Sequence, residues 1–242
     1  MVRILIGSPV RTDVDTFRCY LESLSNLKIP EGAFVKHLFL IHDSPELYPL
    51  VASDEYFPWD CDETYKVDEH THHWTPSLVS EVGKMRQWLL EYARSMEYDY
   101  YFMVDSDLIL HPDTLCHLIS QKKDLISELF WTRWTPDGDL LPNAWDFDAY
   151  KFNSAERLLE FSKAGVYKIG MAGACFLMSK KAIMSKVSYK PIYNVSFWGE
   201  DRAFCVRAAC EGLDIWLDTH YPCRHLYRRA DTEAYMKEKG EG

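Results

Sequence analysis

The sequence predicts an α/β fold in a single domain, with a mixed and mainly parallel β-sheet flanked by helices. Short apolar runs at residues 2–6, 36–41 and 100–104 have the length and composition of strands that are buried on both faces. Between them lie segments whose apolar residues recur three and four positions apart, as in helices with one buried face. Strand, helix and strand at this spacing form a βαβ unit, whose crossover is right-handed.

Composition supports a full hydrophobic core and argues against one class of partner. The chain has 242 residues, of which 47% are hydrophobic and 14% are aromatic. Such a chain buries enough apolar surface to fold. Its formal net charge of −10 repels polyanions, so we expect no nucleic-acid partner.

The cysteines indicate a reducing compartment. There are seven, an odd number, and none forms a C-x-x-C pair, which is typical of buried, reduced thiols in a cytoplasmic protein. Cys205, Cys210, Cys223 and His225 match no standard zinc-ligand spacing. We find neither a signal peptide nor an apolar segment long enough to span a membrane, and we therefore expect a cytoplasmic protein without a transmembrane anchor.

Turn and capping residues place the first elements. Gly7 and Pro9 should end the first strand, and a helix should begin near Asp13 or Asp15. A second helix should begin at Thr75, an N-cap followed by proline. Its predicted buried stripe consists of Leu78, Val82, Met85, Leu89, Tyr92 and Met96. Lys84 and Arg86 lie outside that stripe, so an exposed charge is one interpretation of Arg86. Further elements are predicted as helices at 112–122 and 180–186 and strands at 124–134 and 213–218.

The segment 98–112 carries the strongest chemical signal. Asp105-Ser106-Asp107 follows directly on a buried strand, where carboxylates are costly unless something positive meets them. Ligand sites of open α/β sheets lie at the carboxyl ends of the strands, and Mg²⁺ is held by one or two carboxylates plus substrate phosphates. The pattern thus indicates a metal and nucleotide-phosphate site, although a solvated acidic turn would look the same locally.

A second acidic pair opens a helical pattern near the C-terminus. Glu200 and Asp201 follow Gly199, and acids in a first helical turn also favour the helix dipole. His220 and His225 follow the last predicted strand.

Taken in order, Asp105-Ser106-Asp107, Glu200-Asp201 and His225 resemble the motifs of GT-A-fold glycosyltransferases, family-2-like in type. The resemblance implies one Rossmann-like GT-A domain over residues 1–242, with a nucleotide-binding half at about 1–110 and an acceptor-binding half at about 111–242. It implies transfer of a sugar from a UDP- or GDP-linked nucleotide-sugar to a carbohydrate or other hydroxyl acceptor, with Mn²⁺ or Mg²⁺ bound. It does not fix an oligomeric state.

The resemblance also implies roles for individual residues. Asp201 would be the base of an inverting mechanism, and Glu200 would orient the acceptor. The implied metal ligands are Asp105, Asp107 and His225, with His220 as the second choice for the histidine. The implied donor contacts are Pro9, Arg11, Asp43, Arg86, Ser106, Ala172 and Gly173. Arg86-Gln87 departs from the family's usual Arg-Asn pair.

Two tryptophans, Trp134 and Trp145, are candidates for stacking on an acceptor sugar, because aromatic faces suit sugar rings. The alternative is that they are tryptophans at the edge of the core.

Two other classes of protein remain possible. A nucleotidyltransferase would share paired aspartates and a metal. It would usually carry a phosphate loop rich in glycine and in basic residues, and residues 7–11 contain few of either. A non-catalytic nucleotide-sugar-binding protein would keep Asp107 and His225 without needing Asp201.

Overall fold

A computed structural model describes residues 1–53, 55–61, 74–135, 137–147, 153–193 and 199–240. The strands are β1 (Val2–Val10), β2 (Ala33–His42), β3 (Tyr56–Trp59), β4 (Tyr100–Met103), β5 (Leu108–Ile109), β6 (Leu125–Arg133), β7 (Leu140–Pro142), β8 (Ala144–Trp145), β9 (Val166–Ile169), β10 (Met171–Ala172), β11 (Phe176–Ser179) and β12 (Ile215–His225). The α-helices are α1 (Val14–Ser25), α2 (Pro76–Ser95), α3 (Thr114–Ser120), α4 (Ala155–Phe161), α5 (Lys180–Met184), α6 (Glu200–Cys210) and α7 (Arg229–Lys239), and a 3₁₀ helix spans Pro45–Leu50.

One mixed sheet organises the molecule, in the order β3-β2-β1-β4-β11-β6-β12-β5. The strands β3, β2, β1 and β4 are parallel, as are β6 and β12. Between these two parallel sets, β11 pairs antiparallel with β4 and β6. The predicted α/β fold with a mixed sheet and flanking helices is confirmed.

The central strands are buried on both faces, as their apolar composition predicted. Along β1, Leu5 packs in one core with Met85 and Leu89 of α2. Its neighbours Ile4 and Ile6 pack in the opposite core, which α1 also lines. This alternation follows from the two-residue period of a strand, and it explains why the run shows no polar face.

The first two α-helices begin where predicted, and each has an N-cap. The carboxylate of Asp13 accepts hydrogen bonds from the backbone N–H groups of Asp15 and Thr16 at the start of α1. The hydroxyl of Thr75 accepts one from Leu78 at the start of α2. Such contacts satisfy amide groups that have no partner within the helix.

The first strand is longer than predicted, because Gly7 and Pro9 do not end it. A side chain at Gly7 would place its Cβ 2.9 Å from a ring carbon of Tyr101, so glycine here serves close packing between strands rather than a turn. Pro9 lies beyond the last pairing of β1 with β4, which is at Gly7. The missing N–H of proline therefore costs no ladder bond on that side.

One alternative that was left open and two predictions do not hold. Arg86, outside the predicted buried stripe, is only 4% exposed, because three carboxylates meet it there. Met96, within that stripe, is 43% exposed, because α2 has already ended and Met96 is its C-cap. The last strand runs on to His225, with an irregular register between Asp218 and Cys223.

Candidate active site

The carboxyl ends of the central strands meet where the acidic motif lies. The segment after β4 carries Asp105 and Asp107, and β5 then pairs antiparallel with the end of β12, so that His225 lies opposite Leu108. The backbone N–H of Leu226 donates to the carbonyl of Asp107 at 2.8 Å. This pairing brings together two segments more than 100 residues apart in sequence.

Asp107 and His225 form an oxygen and nitrogen ligand pair. Asp107 Oδ2 lies 3.2 Å from His225 Nε2, and His225 Nδ1 lies 2.8 Å from the hydroxyl of Thr132. A hydrogen bond on the far ring nitrogen is how ligating histidines are usually oriented. Asp107 and His225 could therefore hold a divalent cation such as Mn²⁺ or Mg²⁺. No motif marks Thr132 in the sequence.

Arg86 joins the two acidic motifs. Its Nη2 donates to both carboxylate oxygens of Asp105, at 2.8 and 2.9 Å. Its Nη1 donates to Glu200 Oε1 at 2.7 Å and to Asp201 Oδ1 at 2.5 Å. Asp105 thus directs its carboxylate at Arg86, whereas Asp107 faces His225. These acids supply the negative charge without which a buried guanidinium would be costly.

Burial changes the acidity of this cluster. Burial, and then the negative charge of Asp201, raise the pKa of Glu200 to about 7, against the opposing effect of Arg86. Burial also raises the pKa of Asp105, although Arg86 acts in the other direction. Carboxylates with shifted pKa values in a cleft are a common property of catalytic sites.

A pocket of about 310 Å³ gathers most of the predicted site residues. The predicted residues that line it are Arg86, Asp105, Asp107, Trp134, Trp145, Gly173, Glu200, Asp201 and His225. A Cβ added at Gly173 would lie 3.5 Å from Asp201 Oδ2, so this residue borders the acid closely. Ala172 is buried in β10 behind the pocket wall.

The two predicted aromatic residues differ in their setting. Trp134 is exposed and packs edge-on against Tyr227, with ring centroids 5.6 Å apart. Trp145 lies in β8 and packs partly buried against the core. Both line the pocket, so the structure allows either ring to contact a ligand there.

A second cleft adjoins the acidic motif on the side of β1. Three of the predicted donor contacts, Pro9, Arg11 and Ser106, line it. His42 and Trp74 also line it, and no recognisable motif marks either residue in the sequence. His42 Nδ1 lies 3.4 Å from Arg11 Nη1.

Asp43 neighbours two residues that line that cleft, His42 in sequence and Arg11 in space. It has a left-handed φ of +46°, a conformation that aspartate and asparagine tolerate better than most residues. Its carboxylate lies 3.6 Å from Arg11 and borders a neighbouring cavity of about 410 Å³. His220, the second choice for a metal ligand, lies elsewhere and contacts Asp218.

Comparison with known proteins identifies the class. In fold, the chain is similar to TarS of S. aureus (residues 1–349; TM-score 0.53, 13% identity, 91% of this chain and 60% of that one). It is also similar to GalNAc-T7 solved with UDP, GalNAc and Mn²⁺ (TM-score 0.54, 13% identity, 94% and 44%). The fold is that of the GT-A glycosyltransferases, as the sequence motifs had indicated.

The family follows from sequence. The model of glycosyltransferase family 25, N-terminal domain, matches residues 39–217, and the chain belongs to this family. Procollagen galactosyltransferase 2 of Homo sapiens is 27% identical over 179 residues, 67% of this chain and 27% of the relative. Procollagen galactosyltransferase 1-A of Xenopus laevis is 24% identical over 173 residues, 66% and 27%. The chain spans about a quarter of the length of these relatives. Within the described ranges, no helix is both long and apolar enough to cross a membrane.

Proposed function

We propose that this domain is a metal-dependent, inverting glycosyltransferase that uses a UDP-linked sugar and an acceptor hydroxyl. The observation that supports this most is that Asp201 lines the same pocket as the Asp107–His225 pair. An acid able to accept a proton thus lies on one ligand pocket with a pair suited to hold a divalent cation. UDP and Mn²⁺ are the ligands of the similar GalNAc-T7 structure, and galactose is the sugar named for the curated relatives.

In this proposal, Asp107 and His225 hold the metal, with Asp105 beside them. Mn²⁺ or Mg²⁺ bound there would neutralise the charge that develops on the leaving diphosphate. Thr132 fixes the ring of His225 through Nδ1. Pro9, Arg11, His42 and Asp43 surround the nucleoside in the adjoining cleft.

Asp201 is the proposed base. Its carboxylate takes the proton of the acceptor hydroxyl while the acceptor oxygen bonds to the anomeric carbon. The bond from that carbon to the diphosphate oxygen breaks on the opposite face, and the nucleoside diphosphate leaves with the bonding electrons. General-base catalysis of this kind contributes about 10²–10⁴-fold.

Arg86 and Glu200 position this base. The Arg86 guanidinium holds Asp201 at 2.5 Å and Asp105 at 2.8 Å, which fixes the distance between the two acidic motifs. Burial and the charge of Asp201 raise the pKa of Glu200 to about 7, so Glu200 titrates close to neutral pH. It can therefore donate a hydrogen bond to the acceptor sugar or accept one from it. Trp134 and Trp145 offer the acceptor sugar two aromatic surfaces.

A melting-temperature panel tests the proposal. UDP, GDP, UDP-galactose and UTP are each added with Mn²⁺ or with a chelator. A ligand at one hundred times its Kd stabilises the folded state by about 2.7 kcal/mol. We expect UDP and UDP-galactose to raise the melting temperature only with Mn²⁺, and UDP-galactose to be consumed slowly. Stabilisation by UTP with release of pyrophosphate would favour a nucleotidyltransferase. Binding of UDP-galactose without consumption in the presence of any acceptor would favour a binding protein.

A further inference from the structure

A second cluster of metal-ligand side chains lies outside the proposed active site. His117 of α3 and Asp218 and His220 of β12 point their polar atoms at one another. His117 Nε2 lies 2.9 Å from Asp218 Oδ2, and His220 Nδ1 lies 3.1 and 3.2 Å from the two Asp218 oxygens. The possible ligand atoms all lie within 4.8 Å of one another. None of the three residues lines the pocket that contains Asp201.

The carboxylate at the centre of this cluster is fully buried. Asp218 has no exposed surface, whereas the side chains of His117 and His220 are 19% and 34% exposed. Within the described ranges, no lysine or arginine forms an ion pair with Asp218. Burying an ionised carboxylate is costly unless a positive charge meets it, so the charge balance here depends on the imidazoles or on a bound cation.

A second buried acid lies on the neighbouring strand. Glu128 of β6 pairs in parallel register with Asp218, so their side chains leave the same face of the sheet. Glu128 is fully buried, and its Oε2 has no hydrogen-bond partner among the described residues. An unsatisfied buried oxygen beside a buried carboxylate is the environment in which a divalent cation is stabilising.

The spacing suits a tetrahedral ion. At zinc-to-ligand distances of about 2.0–2.2 Å, tetrahedral ligand atoms lie about 3.3–3.6 Å apart. Asp218 Oδ2, the carboxylate oxygen that both imidazoles contact, lies 2.9 Å from His117 Nε2 and 3.2 Å from His220 Nδ1, both slightly under that spacing. We propose that His117, Asp218 and His220 form a zinc site, in which two imidazole nitrogens and one carboxylate oxygen bind the ion and a water completes the tetrahedron.

Such an ion would fasten α3 to β12. The helix α3 follows β5 closely, and β5 pairs with the end of β12 that carries His225. The zinc site would therefore hold together the two chain segments that bring Asp107 and His225 into contact. Its expected role is structural stabilisation, and it does not depend on the proposed transfer reaction.

Zinc binding by the whole chain tests this proposal. Chelator-treated protein is titrated with Zn²⁺ by calorimetry, and melting temperature is recorded with and without zinc. The test variant is His117→Gln with His220→Gln, which removes two ligands while leaving the buried Asp218 in place. The matched control is His225→Gln, which removes only the nitrogen of the proposed Mn²⁺ pair.

We expect a tight zinc site of about one ion per chain in the wild type and in His225→Gln. In the double variant we expect that site to weaken at least tenfold, and zinc to lose its effect on melting temperature. Equal zinc affinity in the wild type and the double variant would overturn the proposal.

Cobalt gives a measurement that needs no variant. In the wild type, Co²⁺ should bind tetrahedrally to two imidazole nitrogens and two oxygens. Its spectrum should then show intense visible bands without thiolate charge-transfer absorption, and Zn²⁺ should displace the Co²⁺. A weak octahedral spectrum, or one with thiolate bands, would contradict the assignment even if the double variant failed to fold.

Discussion

Arg86 Nη1 lies 2.5 Å from Asp201 Oδ1, and the same guanidinium donates two hydrogen bonds to Asp105. The buried guanidinium of Arg86 thus connects Asp201, the proposed base, to Asp105, the first acid of the metal motif. Glu200 completes the set at 2.7 Å. The site therefore depends on a residue that neither binds the metal nor accepts the proton.

Replacing Arg86 with methionine should strongly destabilise the fold. Removing one partner of a buried ion pair costs about 3–5 kcal/mol, because the remaining charges stay buried. Urea unfolding at neutral pH measures this, and the loss should shrink at acid pH as the carboxylates protonate. Lys84→Met is the control on the same helix, since its exposed ion pair is worth about 1 kcal/mol or less. Equal stability of the two variants would contradict the role given to Arg86.

Glu200 should give the stability a specific pH dependence. Burial and Asp201 raise its pKa from 4.5 to about 7 in the folded protein, so the protonated form is favoured by folding. The resulting stabilisation is complete below about pH 4.5 and is lost as pH rises through about 7. We expect Glu200→Gln to lose less stability than the wild type between pH 5 and 8. Glu31→Gln, at an exposed turn, should keep the wild-type slope, and a shared slope in all three proteins would refute the prediction.

The metal pair is tested through Mn²⁺-dependent binding of UDP. His225→Gln and Asp107→Asn should abolish the dependence on Mn²⁺ in calorimetry. Thr132→Val keeps the side-chain shape but removes the hydrogen bond to His225 Nδ1. Loss of a hydrogen bond that orients a metal ligand typically costs about 10–100-fold in metal affinity. His111→Gln, at a half-exposed histidine outside both proposed metal sites, is the control. Loss of Mn²⁺ dependence in His220→Gln with retention in His225→Gln would reverse the assignment.

Asp43 is tested with asparagine rather than alanine. Its φ of +46° would strain an alanine, whereas asparagine tolerates this region. If the carboxylate accepts hydrogen bonds from the nucleoside, Asp43→Asn should weaken UDP binding by about tenfold, the value of a charge-assisted hydrogen bond, at unchanged melting temperature. Unchanged affinity with a lower melting temperature would assign Asp43 to the turn alone.

The sequence predicts the strands and the acidic motif because both are local patterns. Thr75 and Asp13 are recognisable as caps from a few neighbouring residues, and Asp105-Ser106-Asp107 from the apolar strand before it. The burial of Arg86 is not predictable in this way, because its partners Glu200 and Asp201 lie more than 100 residues away. A helical pattern assigns a charged residue to the solvent face unless those partners are known.

The same limit applies to the contacts that complete the site. Thr132 reaches His225 only because β6 and β12 are neighbours in the sheet. His117 and Asp218 are in contact although they lie 101 positions apart in the sequence. Their spacing matches no standard metal-ligand pattern, so the sequence does not predict this cluster. The resemblance supplied His225 as a candidate, but the β5–β12 pairing is what sets it against Asp107.

Turnover of the Asp201→Asn variant tests the central claim most directly. Asparagine keeps the size of the side chain and can still accept the hydrogen bond from Arg86, but it cannot take a proton. With UDP-galactose as donor, transfer or hydrolysis per folded molecule should fall by about 10²–10⁴-fold, while Mn²⁺-dependent UDP affinity stays unchanged. Asp214→Asn, at an exposed ion pair with Lys168, should keep wild-type turnover. If Asp201 served only the helix dipole, Asp201→Asn would lose up to about 1 kcal/mol of stability and turn over normally, and that result would contradict the mechanism.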